Sequence, residues 1–131
     1  MRILSITAQK PHSTGSGVYL TETVRGFKEL GHTQAVIAGV TREDSVKLPE
    51  GVGFYPVYYN SPELPFPVCG MSDEMPYEST RYRDMKPDMV DKFEAAFGST
   101  VLRAVKELRP DVVICHHLYL LAAIVREKLP D

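Results

Sequence analysis

Short apolar runs rich in β-branched residues alternate along this chain with amphipathic stretches of helix length, and a parallel sheet flanked by helices is what such alternation builds. The first run, residues 2–8 from Arg2 to Ala8, is too short for a helix and apolar enough to be buried on both faces. A loop over residues 9–16 follows, with Pro11, Ser13 and Gly15. From Gly17 to Leu30 the apolar residues Val18, Leu20, Val24, Phe27 and Leu30 recur at helical spacing, and Gly31 is a natural stop. Gly26 costs this helix about 1 kcal/mol against Ala, a cost expected where a helix packs closely on a strand. Thr33–Val40 gives a second strand and Val52–Tyr58 a third. Strand, helix, strand is the βαβ unit of a parallel sheet.

The stretch from Tyr59 to Pro87 differs in kind. Pro62, Pro65, Pro67, Pro76 and Pro87 preclude a long regular element, while Phe66, Met71, Met75, Tyr77 and Tyr82 give it enough apolar surface to be ordered. It reads as an ordered flap. From Asp88 a helical stripe returns through Val90, Phe93, Phe97, Val101, Ala104, Val105 and Leu108, ended by Pro110. Asp111–Cys115 is a fourth strand and Leu120–Leu129 a last helix. The expected fold is α/β, a three-layer Rossmann-like parallel sheet in the order 3-2-1-4, because the right-handed winding must reverse after the third strand. The fourth strand is then an edge, although Val112-Val113-Ile114 has the continuous apolarity of a central strand. That mismatch predicts a piece of a larger fold, with the strand at 111–115 open to self-pairing.

The chain has 131 residues, enough for one domain, and its 15 basic and 17 acidic residues give a formal charge of −2. Such a balance gives no reason to expect nucleic acid as a partner. Two cysteines, Cys69 and Cys115, are too few for a disulfide framework, so a cytoplasmic location is expected, with Cys115 a buried reduced thiol. Met1-Arg2-Ile3 enters a strand without the apolar core of a signal peptide, and no run approaches the ~20 apolar residues of a membrane span. Peripheral membrane association stays open on these grounds.

If the first and fourth strands are neighbours, their carboxyl ends bring Gly15, Ser16, Gly17 and His116, His117 to one crevice. Small residues before a helix let backbone N–H groups approach an anion or a sugar. The third glycine of a dinucleotide fingerprint is replaced by Leu20, and no P-loop Lys-Ser/Thr follows. Adjacent histidines leaving a strand point in different directions and make a poor chelate, so no metal site is expected. One imidazole of the His116-His117 pair facing the crevice can serve a sugar hydroxyl or a proton, the plain alternative being a polar cap on the strand end. His32, at the opposite end of the sheet, is expected to bond local backbone. Tyr77 and Arg81, with Asp73 and Glu74, are the flap residues that could touch a polar substrate, the plain alternative for the charged ones being a solvated loop.

The segments MRILSIT, TGSGVYL, FKELGHTQAVIAGV and RPDVVICHHLYLL together resemble the amino-terminal domain of GT-B glycosyltransferases, in particular the retaining group 1 glycosyl transferases. The resemblance covers nearly the whole chain, the flap least. It implies half of a two-domain architecture, an acceptor-side domain facing a carboxy-terminal domain that holds the nucleotide-sugar and is absent from this sequence. By resemblance, Gly15 to Gly17 lie near the donor diphosphate or the acceptor, and His116 lies beside the transferred sugar as the catalytic residue, with His117 its neighbour. The implied partners are a nucleotide-sugar co-substrate and a sugar or lipid-linked hydroxyl acceptor; no cofactor is called for. The chain alone is expected to be inactive, because half of the stabilisation of the leaving diphosphate is missing. Two other functions fit the residues: a non-catalytic module docking a separate chain through the 111–115 edge, and a flavodoxin-like nucleotide-binding regulatory domain.

Overall fold

The computed structural model describes residues 1–70, 74–117 and 120–130; Met71 and Asp73 of the expected flap lie outside them. Four parallel strands form the main sheet: β1 (Arg2–Ile6), β2 (Thr33–Val40), β3 (Gly53–Tyr58) and, after a short parallel pair β4 (Cys69–Gly70) and β5 (Thr80–Arg81), β6 (Val112–Cys115). Their spatial order is β3-β2-β1-β6. β1 pairs with β2 on one side, Arg2 opposite Thr33, and with β6 on the other, Ile3 opposite Val112 and Ile6 opposite Cys115. The described residues also hold three α-helices, α1 (Gly15–Glu29), α2 (Pro87–Leu108) and α3 (Leu120–Lys128), and a short 3-10 turn at Tyr82–Asp84.

Alternation along the strands divides the core in two. Leu4 and Ile6 of β1, with Ala35 and Ile37 of β2, pack with Phe93, Phe97, Val101 and Ala104 of α2 and Leu121, Ile124 and Val125 of α3. Val36 and Ala38, on the other face, pack with Leu20 and Val24 of α1. The Phe93 and Phe97 rings stand 4.5 Å apart, and Tyr59 contacts Phe97 at 6.1 Å. Each of these buried aromatics contributes roughly 1.5–3 kcal/mol. They tie the flap to the sheet as well, because Tyr59, Leu64, Phe66, Val68 and Cys69 belong to the same core.

Several helix limits follow from local chemistry. α2 opens on Pro87, whose missing N–H is no loss in a first turn, and closes at Arg109 in the left-handed conformation ahead of Pro110. α1 ends where Gly31, at φ 85°, lets its own N–H reach the Lys28 carbonyl and that of His32 reach Phe27. This is a Schellman stop, which favours glycine because φ is positive.

Other expectations need correction. α1 starts two residues earlier than its apolar stripe, because Thr14 caps it. Val18 and Leu30 of that stripe are exposed, since only Leu20 and Val24 reach the sheet. A Cβ at Gly26 would meet nothing within 4 Å, so close packing does not explain that glycine. The His32 side chain bonds the Met1 amino group at 2.9 Å rather than local backbone. Cys115 is half-buried rather than enclosed: it lines a groove of about 520 Å³ with Val113, Val105, Val125 and Leu129. As expected, β6 is an edge strand, with β3 at the other edge, and Val112 is 38 % exposed.

Candidate functional site

Winding runs outward from β1 through β2 to β3, then resumes on the far side of β1 with β6. The crevice beyond the carboxyl ends of β1 and β6 is therefore the switch point at which open α/β sheets bind ligands. It is lined by Thr7, Ala8 and Gln9 after β1, by His116 and His117 after β6, and by Tyr82 and Leu121. Its volume is about 10 Å³, the space of one water molecule. Any larger ligand must lie across the mouth and send single groups inward.

His116 is held in place by its backbone N–H, which donates to the Ile6 carbonyl at 2.9 Å. Its ring meets that of Tyr19 edge-on, with centroids 6.1 Å apart. Nε2 is buried and has no hydrogen-bond partner among the described residues. Burial, and then the neighbouring His117, hold the imidazole below its ordinary pKa of 6.5. The ring is neutral at pH 7 and, according to tautomer, can donate or accept one further hydrogen bond there.

His117 adopts φ 80°, a left-handed value uncommon for a residue with a Cβ. Both histidines line the crevice, at the point where the chain turns out of β6. Its Nδ1 makes a long 3.5 Å contact with Gln9 Nε2, and burial lowers its pKa as well.

Gly15, Ser16 and Gly17 form the first turn of α1 instead of a preceding loop. Thr14 Oγ1 accepts the Gly17 N–H at 3.1 Å and lies 3.0 Å from Ser16 Oγ. The Gly17 amide is thus already satisfied, leaving those of Gly15 and Ser16 ahead of any intrahelical acceptor. A Cβ at Gly17 would come within 2.7 Å of the Lys10 carbonyl oxygen, so this glycine makes room for the chain's own loop. Nothing lies within 4 Å of that position at Gly15. Tyr19 is four residues beyond Gly15 and three beyond Ser16, on the same face of α1. The helix start and His116 therefore share one side of the molecule.

Of the flap, Tyr82 alone among the described residues lines the crevice; the flap residues expected at the substrate lie elsewhere. Neither Tyr77 nor Arg81 lines the crevice. Arg81 Nε bonds Asp84 Oδ2 at 2.7 Å in an exposed pair, and Glu74 is exposed. The Tyr77 ring lies 4.7 Å beneath the Lys10 ammonium, and burial raises its phenol pKa. Lys10 Nζ in turn meets Asp44 Oδ1 at 3.0 Å, and His12 Nε2 stands 4.0 Å from the same oxygen. Asp44 Oδ2 accepts from the Thr41 N–H at 2.7 Å and from its hydroxyl at 3.0 Å. Burial raises the Asp44 pKa, but the hydrogen bonds from Thr41 and Lys10 outweigh it and hold the carboxyl below 3.8. No motif marks Lys10, His12 or Asp44. The available signal is topological: residues 9–14 and 41–44 follow adjacent parallel strands and must meet.

Among the described residues no group of three His, Cys, Asp or Glu side chains could hold a metal ion, and no helix is long and apolar enough to cross a membrane. No protein-family model and no curated protein sequence matches the chain.

Proposed function

We propose that this chain is the acceptor-side domain of a GT-B glycosyltransferase, in which a second Rossmann-like domain brings a nucleotide-sugar and the enzyme transfers its sugar to a hydroxyl acceptor. The observation that carries this reading is the buried, unpartnered Nε2 of a neutral His116 at the switch-point crevice. An imidazole so placed suits a sugar hydroxyl, which both donates and accepts. The first-turn amides of Gly15 and Ser16 suit phosphate or hydroxyl oxygens. A crevice of about 10 Å³ admits one such group, so the rest of the substrate lies between this face and the second domain. In this reading Tyr77 and Arg81 leave the first contact layer and act through the shape of the flap, and the work is done in the cytoplasm.

The test is sugar transfer by the whole enzyme carrying His116→Ala. Transfer falls by roughly 100-fold or more while the melting temperature stays near that of the parent. Near-normal turnover removes His116 from the site.

One feature favours a second reading, a module that docks another chain: the open edge of β6 beside its 520 Å³ groove. Light scattering after gel filtration separates the two. A stable monomer at high concentration counts against pairing through β6 with a second copy.

A further inference from the structure

Tyr19 is 66 % exposed although its ring abuts His116. The crevice behind His116 has room for one water-sized group, so a six-membered sugar ring cannot enter it. We infer that the exposed face of Tyr19 is the platform on which the sugar ring stacks, while a single hydroxyl of that sugar reaches His116. The inference rests on the proposed function and adds to it the residue that orients the ring.

Geometry and chemistry agree on this assignment. A pyranose presents C–H groups on one face and hydroxyls around its rim, so it gains by laying the first on an aromatic surface and the second on polar groups. A ring in van der Waals contact sits about 4 Å above Tyr19. Its rim is then within reach of an imidazole whose centroid lies 6.1 Å from that of Tyr19. Gly15 and Ser16, one turn earlier on the same helix face, stand where an anionic substituent of the sugar would find unpaired amides. Tyr19 is a positioning residue in this scheme. It holds the ring and takes no part in bond making.

The test is a titration of the chain with glucose 1-phosphate followed by NMR, with inorganic phosphate as the control. The sugar C–H resonances move upfield on binding, the Tyr19 ring signals shift, and the His116 and Ser16 signals move with them. Inorganic phosphate moves the Ser16 amide without the Tyr19 ring. Tyr19→Ala weakens sugar phosphate binding roughly five- to tenfold and abolishes the upfield shift, whereas Tyr19→Phe keeps both. If His116 and Ser16 respond while the Tyr19 ring does not, and Tyr19→Ala binds as the parent does, the platform is wrong and the crevice assignment stands. If none of the three residues responds, both are overturned.

Discussion

Lys10 and Asp44 form an ion pair of 3.0 Å in which each side chain is only 13 % exposed. The pair joins the loop after β1 to the turn after β2, and through the Lys10 ammonium above Tyr77 it also fastens the flap. Burial is costly for both ions, and the Thr41 N–H and hydroxyl on Asp44 are what offset it. Asp44→Ala leaves a largely buried ammonium unpaired and a turn without its acceptor. It should cost about 1–3 kcal/mol in urea unfolding, more than an exposed pair would. Lys10→Met, which keeps the packing on Tyr77 but frees Asp44, should cost less than Asp44→Ala. Equal stability of all three proteins would make the pair ornamental.

Two glycines of α1 should respond in opposite directions. Gly17→Ala drives a methyl group to 2.7 Å from the Lys10 carbonyl and 2.9 Å from Pro11, both backbone atoms, so the loop must shift. A loss of roughly 1–3 kcal/mol is expected. Gly26→Ala places its methyl in open space inside a helix, where alanine gains about 0.5–1 kcal/mol over glycine. Thermal melts of the two variants should fall on either side of the parent, and a stabilised Gly17→Ala would contradict the packing.

The parallel sheet was legible because burial on both faces leaves a mark on each short run, whatever its neighbours are. Ile3, Leu4, Val36 and Ile37 announce themselves through their own side chains. The same mark overextends the strands: Ala8 is buried but lies beyond the end of β1, since apolarity reports burial and not backbone pairing. Gly17 was readable as a special position but not for its reason. Its crowding by Lys10 and Pro11 depends on how the loop folds back over α1. The His116-His117 pair could be placed from strand order, whereas the choice of His116 came from the family resemblance. Tyr19 could not be placed, because on a helix wheel an exposed aromatic looks like any solvent-facing residue; only its contact with His116 distinguishes it. The flap was the least legible part. Tyr59 donates its hydroxyl to the Ala8 carbonyl at 2.9 Å and Lys10 covers Tyr77, and no local spacing encodes either contact.

The two thiols should differ in reactivity. Burial pushes the Cys69 thiol up to about 12. At pH 8 the thiolate fraction of such a group is about 10⁻⁴. Burial also raises Cys115, but that residue borders an open groove. A disulfide reagent at pH 8 should therefore modify Cys115 slowly and leave Cys69 untouched until the chain unfolds. Modification of Cys69 at the same rate as Cys115 would mean that the flap opens readily.

Acid should weaken the fold in a window set by the crevice histidines. Burial and His117 lower the His116 pKa in the folded chain, whereas the unfolded chain titrates near 6.5. Between those two values the unfolded state binds more protons, so stability rises with pH across the window and is lost as pH falls through it. His117, lowered by burial, contributes with the same sign. Asp44 acts in a separate window, because its depressed carboxyl costs stability only as pH falls below about 3.8 and on through the folded value. Urea midpoints measured between about pH 7.5 and 5 should decline for the parent and decline less for His116→Gln, with His117 supplying the remainder. An NMR titration of the His116 ring should give a midpoint under 6.5. A midpoint above that, or greater stability at the acid end, would mean the imidazole is charged in the crevice. It could then no longer accept a hydrogen bond from a sugar hydroxyl, and Nε2 would be left as a donor only.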